Sequence, residues 1–585
     1  MKAATESSSA AGVRWDLTRM FADVTAARAE LATAVTRAAA LAARVQRIDA
    51  VDPSRLRDLL DEASALAAVR DVFHQDFGYG ALRLLADSSD LEARDLVAEC
   101  EGSVAAIRDA LRDLSLAVGE RPDLAARPEL APYRHWLEHQ AALAATKLEA
   151  SAERAFAART PTASSAWGRL SQEVLTAASV PFDAGSGAQP HGVVELKLLR
   201  LHADRDVRRR AAETLLGIYE ERLPVVAACL DAVISDRLTE DRLRGRDDPM
   251  AATLAADEVD AATVEQLLST VEGRTDIPAR WYEKKRIALG LDRIESYDRL
   301  APVGDPPPIP YERAVAICRE VFDDLSPEAG EVAAALFEEK RVDAERRPGK
   351  DGAIFCAGFA EDYGSFVFLS YIESAFGVTL LGHELGHAVH FGIARRARPW
   401  LAWTEPETAA FLEVPSTFAE ITTAEYMAAA IGGDGGKALL RASLDTLIGV
   451  VYGATAGTRF EQQACARRAA GEALTPERVD EMSLACYRVV FGPLAARLSA
   501  LNIPHHYVAR FYGYQYVYAA LTALGLAGIR RDDPEKFGVD YVGMLEASGT
   551  GTPAQLLARC GLDVEDPGIW SRSLDELERL AGLAW

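Results

Sequence analysis

Residues 378–391 read VTLLGHELGHAVHF, and within them His383, Glu384 and His387 form an HExxH pattern. On a helix, residues four apart share a face, so the two imidazoles can converge on one ion. Glu384, beside the first of them, can then reach a water on that ion. The chemistry this points to is hydrolysis. Zinc lowers the pKa of bound water to about 7, and a neighbouring carboxylate takes the proton as general base. A surface helix carrying two histidines and an acid is the bland alternative. The apolar neighbours Val378, Leu380, Leu381, Leu385 and Val389 predict a buried helix instead, where unpaired histidines are costly. His390 follows His387 by three, towards the same side. As the last histidine of HELGHAVH it reads as a packing residue or a support to a ligand, not as a ligand.

A catalytic zinc takes three protein ligands and keeps one position open. Residues 408–421 (TAAFLEVPSTFAEI) offer Glu413 and Glu420, seven apart. If the stretch is helical, both share a face with Thr417. Two carboxylates on one face of an Ala/Phe-rich helix call for something positive opposite. The geometry favours Glu413 as third ligand, with Glu420 accepting from the N–H of a liganding imidazole. Glu405 and Glu407 compete, but Pro406 puts them in a turn, where solvated acids are usual.

A second constellation lies in residues 502–519, NIPHHYVARFYGYQYVYA, which hold five of the chain's 17 tyrosines and two of its ten histidines. Hydrogen-bonded tyrosines in a core helix account for part of this. His505, Tyr507, Tyr512 and Tyr514 nonetheless gather donors around Gly513. Peptide hydrolysis needs such donors, aimed at a tetrahedral oxyanion.

HELGHAVH followed by FLEVPSTFAE resembles the M3 peptidases, the group of oligoendopeptidase F and thimet oligopeptidase. The resemblance implies one zinc per chain, held by His383, His387 and the Glu of a later E-x-[PA]-S segment, here Glu413 before Val414, Pro415 and Ser416. It implies a further acid seven residues on, at Glu420. Trp15-Asp16-Leu17 is similar to the WDL opening of oligoendopeptidase F chains. Residues 365–370 (SFVFLS) sit where that family has an edge strand before the zinc helix. Ser416-Thr417-Phe418 is similar to the oligoendopeptidase F branch, whereas Pro415 resembles the thimet branch. Carried over by position, His505, Tyr507 and Tyr514 become substrate and transition-state residues, with Tyr512 close behind. The implied fold is mainly α, a large two-lobed helical metallopeptidase with a deep cleft and a small β-sheet near the zinc helix. The implied activity is endopeptidase action on short unstructured oligopeptides.

The elements that must carry these residues are read as helices almost throughout. Ala, Leu, Glu and Arg dominate, apolar residues recur at spacings of three and four, and β-branched runs are few. SFVFLS is the exception, with a β-branched and aromatic centre that predicts a strand. Gly/Pro clusters at 183–192, 302–310, 346–352 and 431–436 mark loops. The first of them divides an N-terminal helical region over 15–185 from a catalytic domain over 193–585, and MKAATESSSAAGVR reads as a disordered tail over 1–14. With 64 Lys+Arg against 88 Asp+Glu, the formal charge is −24. That field repels phosphate backbones and anionic lipid, so nucleic acid and membrane surfaces are excluded as main partners and oligopeptides are expected. Seven scattered cysteines without a CxxC pair, and no secretory or spanning apolar stretch, fit a cytoplasmic protein. A related helical zinc carboxypeptidase is one alternative, but no Lys or Arg lies in 376–390 to hold a free C-terminus. An inactive peptide-binding protein is another, and it predicts a damaged motif where this one is intact.

Overall fold

The computed structural model describes residues 9–46, 53–185, 187–360, 362–398 and 409–585. The described residues form mainly α-helices, as expected, with two small sheets among them. The helices that bear on the site are α1 (Arg205–Leu243), α2 (Ala375–Ala397), α3 (Ala409–Ile431), α4 (Gly433–Ala469), α5 (His505–Val508), α6 (Tyr512–Asp532) and α7 (Pro534–Glu546). The strands are β1 (Ser179–Asp183), β2 (Ala188–Gly192), β3 (Val342–Asp343), β4 (Phe355–Gly358) and β5 (Ser365–Phe368). Two units divide the chain. Unit one takes Met1–Ala145, Pro308–Tyr426 and Leu526–Asp563; unit two takes Thr146–Pro307, Met427–Gly525 and Val564–Trp585. No helix among the described residues is long and apolar enough to cross a membrane.

In unit one, β3, β5 and β4 form a three-stranded sheet with β5 in the middle. β5 runs parallel to β3 and antiparallel to β4, with Val367 opposite both Val342 and Cys356. All four residues of β5 are buried. The strand expected from SFVFLS is therefore present but central, not at the edge. The reason is that both of its edges are hydrogen-bonded, to β3 on one side and β4 on the other, while Phe366, Val367 and Phe368 suit burial on both faces. Trp15 packs against this strand, its ring 5.0 Å from Phe368 and 6.2 Å from Phe366. Asp16 caps the 3-10 turn Leu17–Arg19, and its N–H donates to the Lys340 carbonyl at 2.7 Å. Of the tail expected over 1–14, residues 1–8 lie outside the described residues. Within 9–14, the Gly12 N–H donates to Glu345 and the Val13 carbonyl accepts from the Ala344 N–H.

α2 starts where Ser374 caps it by accepting from the Gly377 N–H, and Arg395 and Arg396 occupy its last turn, where cations suit the carbonyl end. Its residues are buried nearly all round, from Val378 to Ile393. α3 packs alongside, and a Cβ added to Gly386 of α2 would stand 2.7–2.8 Å from Ser416 Cα, the Pro415 carbonyl and Ala419 Cβ. Only a residue without a side chain allows so close an approach. Phe418 of α3 packs on Phe537 and Tyr541 of α7, with ring centroids 5.4 and 5.0 Å away.

Candidate active site

Helical periodicity puts His383 and His387 on one face of α2, rings 5.0 Å apart and nearly perpendicular. α3, held against Gly386, brings Glu413 to that face. Glu413 Oε2 lies 3.4 Å from His383 Nε2 and 3.6 Å from His387 Nε2. One donor atom from each of the three falls within 4.8 Å of the others, and the set is two imidazole nitrogens and one carboxylate oxygen. That is a donor set suited to zinc with a position left open. Glu420 Oε2 lies 3.1 Å from His383 Nδ1, where it can accept that N–H and leave the Nε2 lone pair on the Glu413 side. Glu405 and Glu407 lie outside the described residues.

The charges answer one another. Burial alone would suppress the His383 imidazolium, yet the hydrogen bonds it donates to Glu413 and Glu420 overcome it and raise its pKa well above the usual value. Burial likewise works against the Glu413 carboxylate, but the two histidines hold it far below the usual range. Glu384 is buried, its pKa is raised chiefly by burial, and its Oε2 has no hydrogen-bond partner among the described residues. His387 Nδ1 is also buried without one. A buried carboxylate oxygen left open beside two imidazoles and an acid fits a metal centre with a base at its side. His390 faces elsewhere, its Nε2 3.0 Å from Ser548 Oγ and its ring edge-on to Phe411, which ties α2 into the core of unit one.

The aromatic segment belongs to unit two. His505 stacks on Tyr512 with centroids 4.7 Å apart, and Tyr516 completes the cluster at 5.1 Å from Tyr512 and 5.7 Å from His505. These three rings are half-buried. Tyr507 is wholly buried, its hydroxyl lacks a hydrogen-bond partner among the described residues, and burial raises its pKa. Tyr514 is buried too, and its hydroxyl donates to Asp257, which also accepts from Gln515 Nε2 at 2.7 Å. Burial and the Asp257 charge both raise the Tyr514 pKa.

Three residues were not singled out by the sequence reading. Tyr516 was legible as the i+4 neighbour of Tyr512. Asp257 sits 257 positions from its tyrosine partner, with no local signal. Cys356 of β4 is close enough for the Glu384 carboxylate to add to the burial that pushes its thiol up.

A sequence model described as Peptidase family M3 matches residues 198–576, and one described as Oligopeptidase F matches residues 123–178. The oligoendopeptidase F homolog of Lactococcus lactis subsp. lactis is 26% identical over 396 residues. The plasmid oligoendopeptidase F of Lactococcus lactis subsp. cremoris is 26% identical over 395. Each match covers 64% of this chain and 64% of the relative's length. The crystal structure of oligoendopeptidase-F from Enterococcus faecium superposes with a TM-score of 0.65 at 18% identity, covering 95% of this chain and 98% of that one.

Proposed function

Because the chain belongs to peptidase family M3, we propose that it is a zinc metalloendopeptidase that hydrolyses short, unstructured oligopeptides, with Glu384 as general base. The observation that carries this is the meeting of His383, His387 and Glu413 donor atoms within 4.8 Å beside a buried, open carboxylate. Those three residues would hold one zinc. Zinc there supplies a Lewis acid at which water loses a proton near neutral pH. Glu384 takes that proton and, on the same oxygen, can return it to the leaving amine. Glu420 fixes the His383 tautomer through Nδ1. His505 and Tyr512, whose rings are only half-buried, are assigned to the substrate and its transition state, and Tyr507, in α5 with His505, to the substrate. Tyr514 is retained as an oxyanion donor, a role for which its hydroxyl must leave Asp257.

The catalytic domain is taken as residues 193–585, around the matched 198–576. A cytoplasmic location is part of the same reading, supported by seven free cysteines. The test is metal analysis combined with cleavage of an internally quenched peptide amidated at its C-terminus. One zinc per chain and internal cleavage are expected, with casein left intact. Glu413→Ala should lose both metal and activity. Full zinc occupancy in that variant would mean that another carboxylate is the ligand, and cleavage only of peptides with a free C-terminus would replace the endopeptidase by a carboxypeptidase.

A further inference from the structure

Glu461 lies within α4 and is 2% exposed, and its carboxylate is shared among groups from two other parts of unit two. Oε1 accepts from the Phe511 backbone N–H at 3.0 Å and from Arg237 Nη1 of α1 at 3.3 Å. Oε2 lies 3.2 Å from His506 Nδ1. The same Arg237 Nη1 donates to the His506 carbonyl at 3.1 Å. Neutralising a buried carboxylate needs only the arginine. The remaining acceptor positions of Glu461 are given to residues 506 and 511, one in the helix before a bend and one in the bend itself.

That bend joins α5, which carries His505 and Tyr507, to α6, which opens with Tyr512. Phe511 makes it with φ +50, a left-handed conformation that a bulky side chain adopts only when its surroundings impose it. The adjacent Arg510 is pinned as well. Its Nη1 reaches both Asp241 oxygens at 2.7 and 2.8 Å, and its carbonyl accepts from Thr253 at 3.3 Å. The outcome of the bend is the stacking of His505 on Tyr512 at 4.7 Å.

We propose that Glu461 is a positioning residue for peptide hydrolysis: by holding the Phe511 N–H and the His506 ring together, it sets the α5–α6 bend and so the placing of His505 and Tyr512. This rests on the reading that those two side chains serve the substrate as it passes through the transition state. Glu461→Gln keeps the volume but removes the charge shared by Arg237 and His506. In the zinc-loaded full chain, kcat should fall by about 10²-fold with KM little changed, since small misplacements of reacting groups cost that much. Zinc content should stay at the wild-type level.

A purely structural tie predicts a lower melting temperature with kcat intact, so both are measured on one preparation. The decisive arm is the double variant with Tyr512→Phe. If Glu461 acts through Tyr512 and His505, the double variant falls little below the worse single one; losses that multiply overturn the proposal. Full kcat in folded Glu461→Gln overturns it while leaving the substrate role of Tyr512 standing. Full kcat in both Tyr512→Phe and His505→Ala removes that role, and the proposal with it. Should Glu461→Gln fail to fold, Arg237→Lys is read in the same way, because the shorter lysine side chain sets its ammonium back from the place where Arg237 Nη1 meets Glu461 and the His506 carbonyl. Multiplying losses with Tyr512→Phe would again overturn the proposal.

Discussion

Replacing Glu384 by Gln exchanges one buried oxygen for an amide nitrogen and leaves the His383, His387 and Glu413 donors where they are. Zinc content should therefore hold while turnover drops by roughly 10²–10⁴, because the amide accepts no proton from water. Near-normal turnover would end the general-base reading. Tyr514→Phe asks a different question. The structure gives that hydroxyl to Asp257, and removing it takes one hydrogen bond from a buried carboxylate that Gln515 also serves. Loss of a hydrogen bond to a charged group typically costs about 1.5–3 kcal/mol of stability. If the hydroxyl serves the oxyanion, kcat instead falls by about 10²–10³. Calorimetry and kcat on the same variant decide between them: an unchanged kcat with a lowered melting temperature removes Tyr514 from catalysis. The contrast shows which residues could be read in advance. His383, Glu384 and His387 are set by local helical spacing, and Glu413 and Glu420 by the same spacing one helix later. The Asp257 partner of Tyr514 is far away in sequence, and nothing near residue 257 announces it.

Helix spacing explains why two histidines face one way, but it does not bring Glu413 to them. That is done by the approach of α3 to α2, and Gly386 is what allows it. Gly386→Ala would place a methyl 2.7–2.8 Å from the Pro415–Ser416 backbone, a contact that only a shift of one helix relieves. Glu413 lies three residues before Ser416, so the shift is passed to the site. Overpacking of this kind costs about 1–3 kcal/mol in stability, and the expected signature is a weaker zinc affinity than in wild type. A Gly386→Ala enzyme with unchanged zinc affinity and melting temperature would show that α3 adjusts freely. The glycine is visible in the sequence, but its neighbour is not, since nothing local to HELGH names the backbone that crosses it. β5 gives the same lesson. Its aromatic and β-branched residues announced a strand, whereas its central place depends on β3 and β4, two and four residues long, which are too short to carry a periodic signal. Helical content was legible because periodicity over 15 or more residues is robust. The positive φ of Phe511 was not, because it answers to Glu461, 50 residues upstream.

At the scale of the molecule, the quantity that acts on a substrate before any contact is charge. The formal net charge is −24, with a sequence pI near 5.0. Many arginines are tied up in local pairs, such as Arg459 with Glu265 and Glu272 or Arg510 with Glu240 and Asp241, so the excess carboxylates set the field. A field of that sign concentrates cations and repels anions over a Debye length of about 10 Å at 0.1 M salt, shrinking to about 3 Å at 1 M. For two peptides of the same length and scissile bond, one flanked by lysines and one by glutamates, kcat/KM should favour the lysine peptide. Steering of this kind can raise association rates by roughly 10-fold or more at low ionic strength. It acts on encounter, so the preference should sit in kcat/KM and not in kcat, and it should shrink steadily as salt is raised. A preference that survives 1 M salt would instead come from acidic side chains touching the peptide, which salt screens far less. No preference at low salt would mean that the carboxylates near the substrate's path are already paired, leaving the net charge to act elsewhere on the surface.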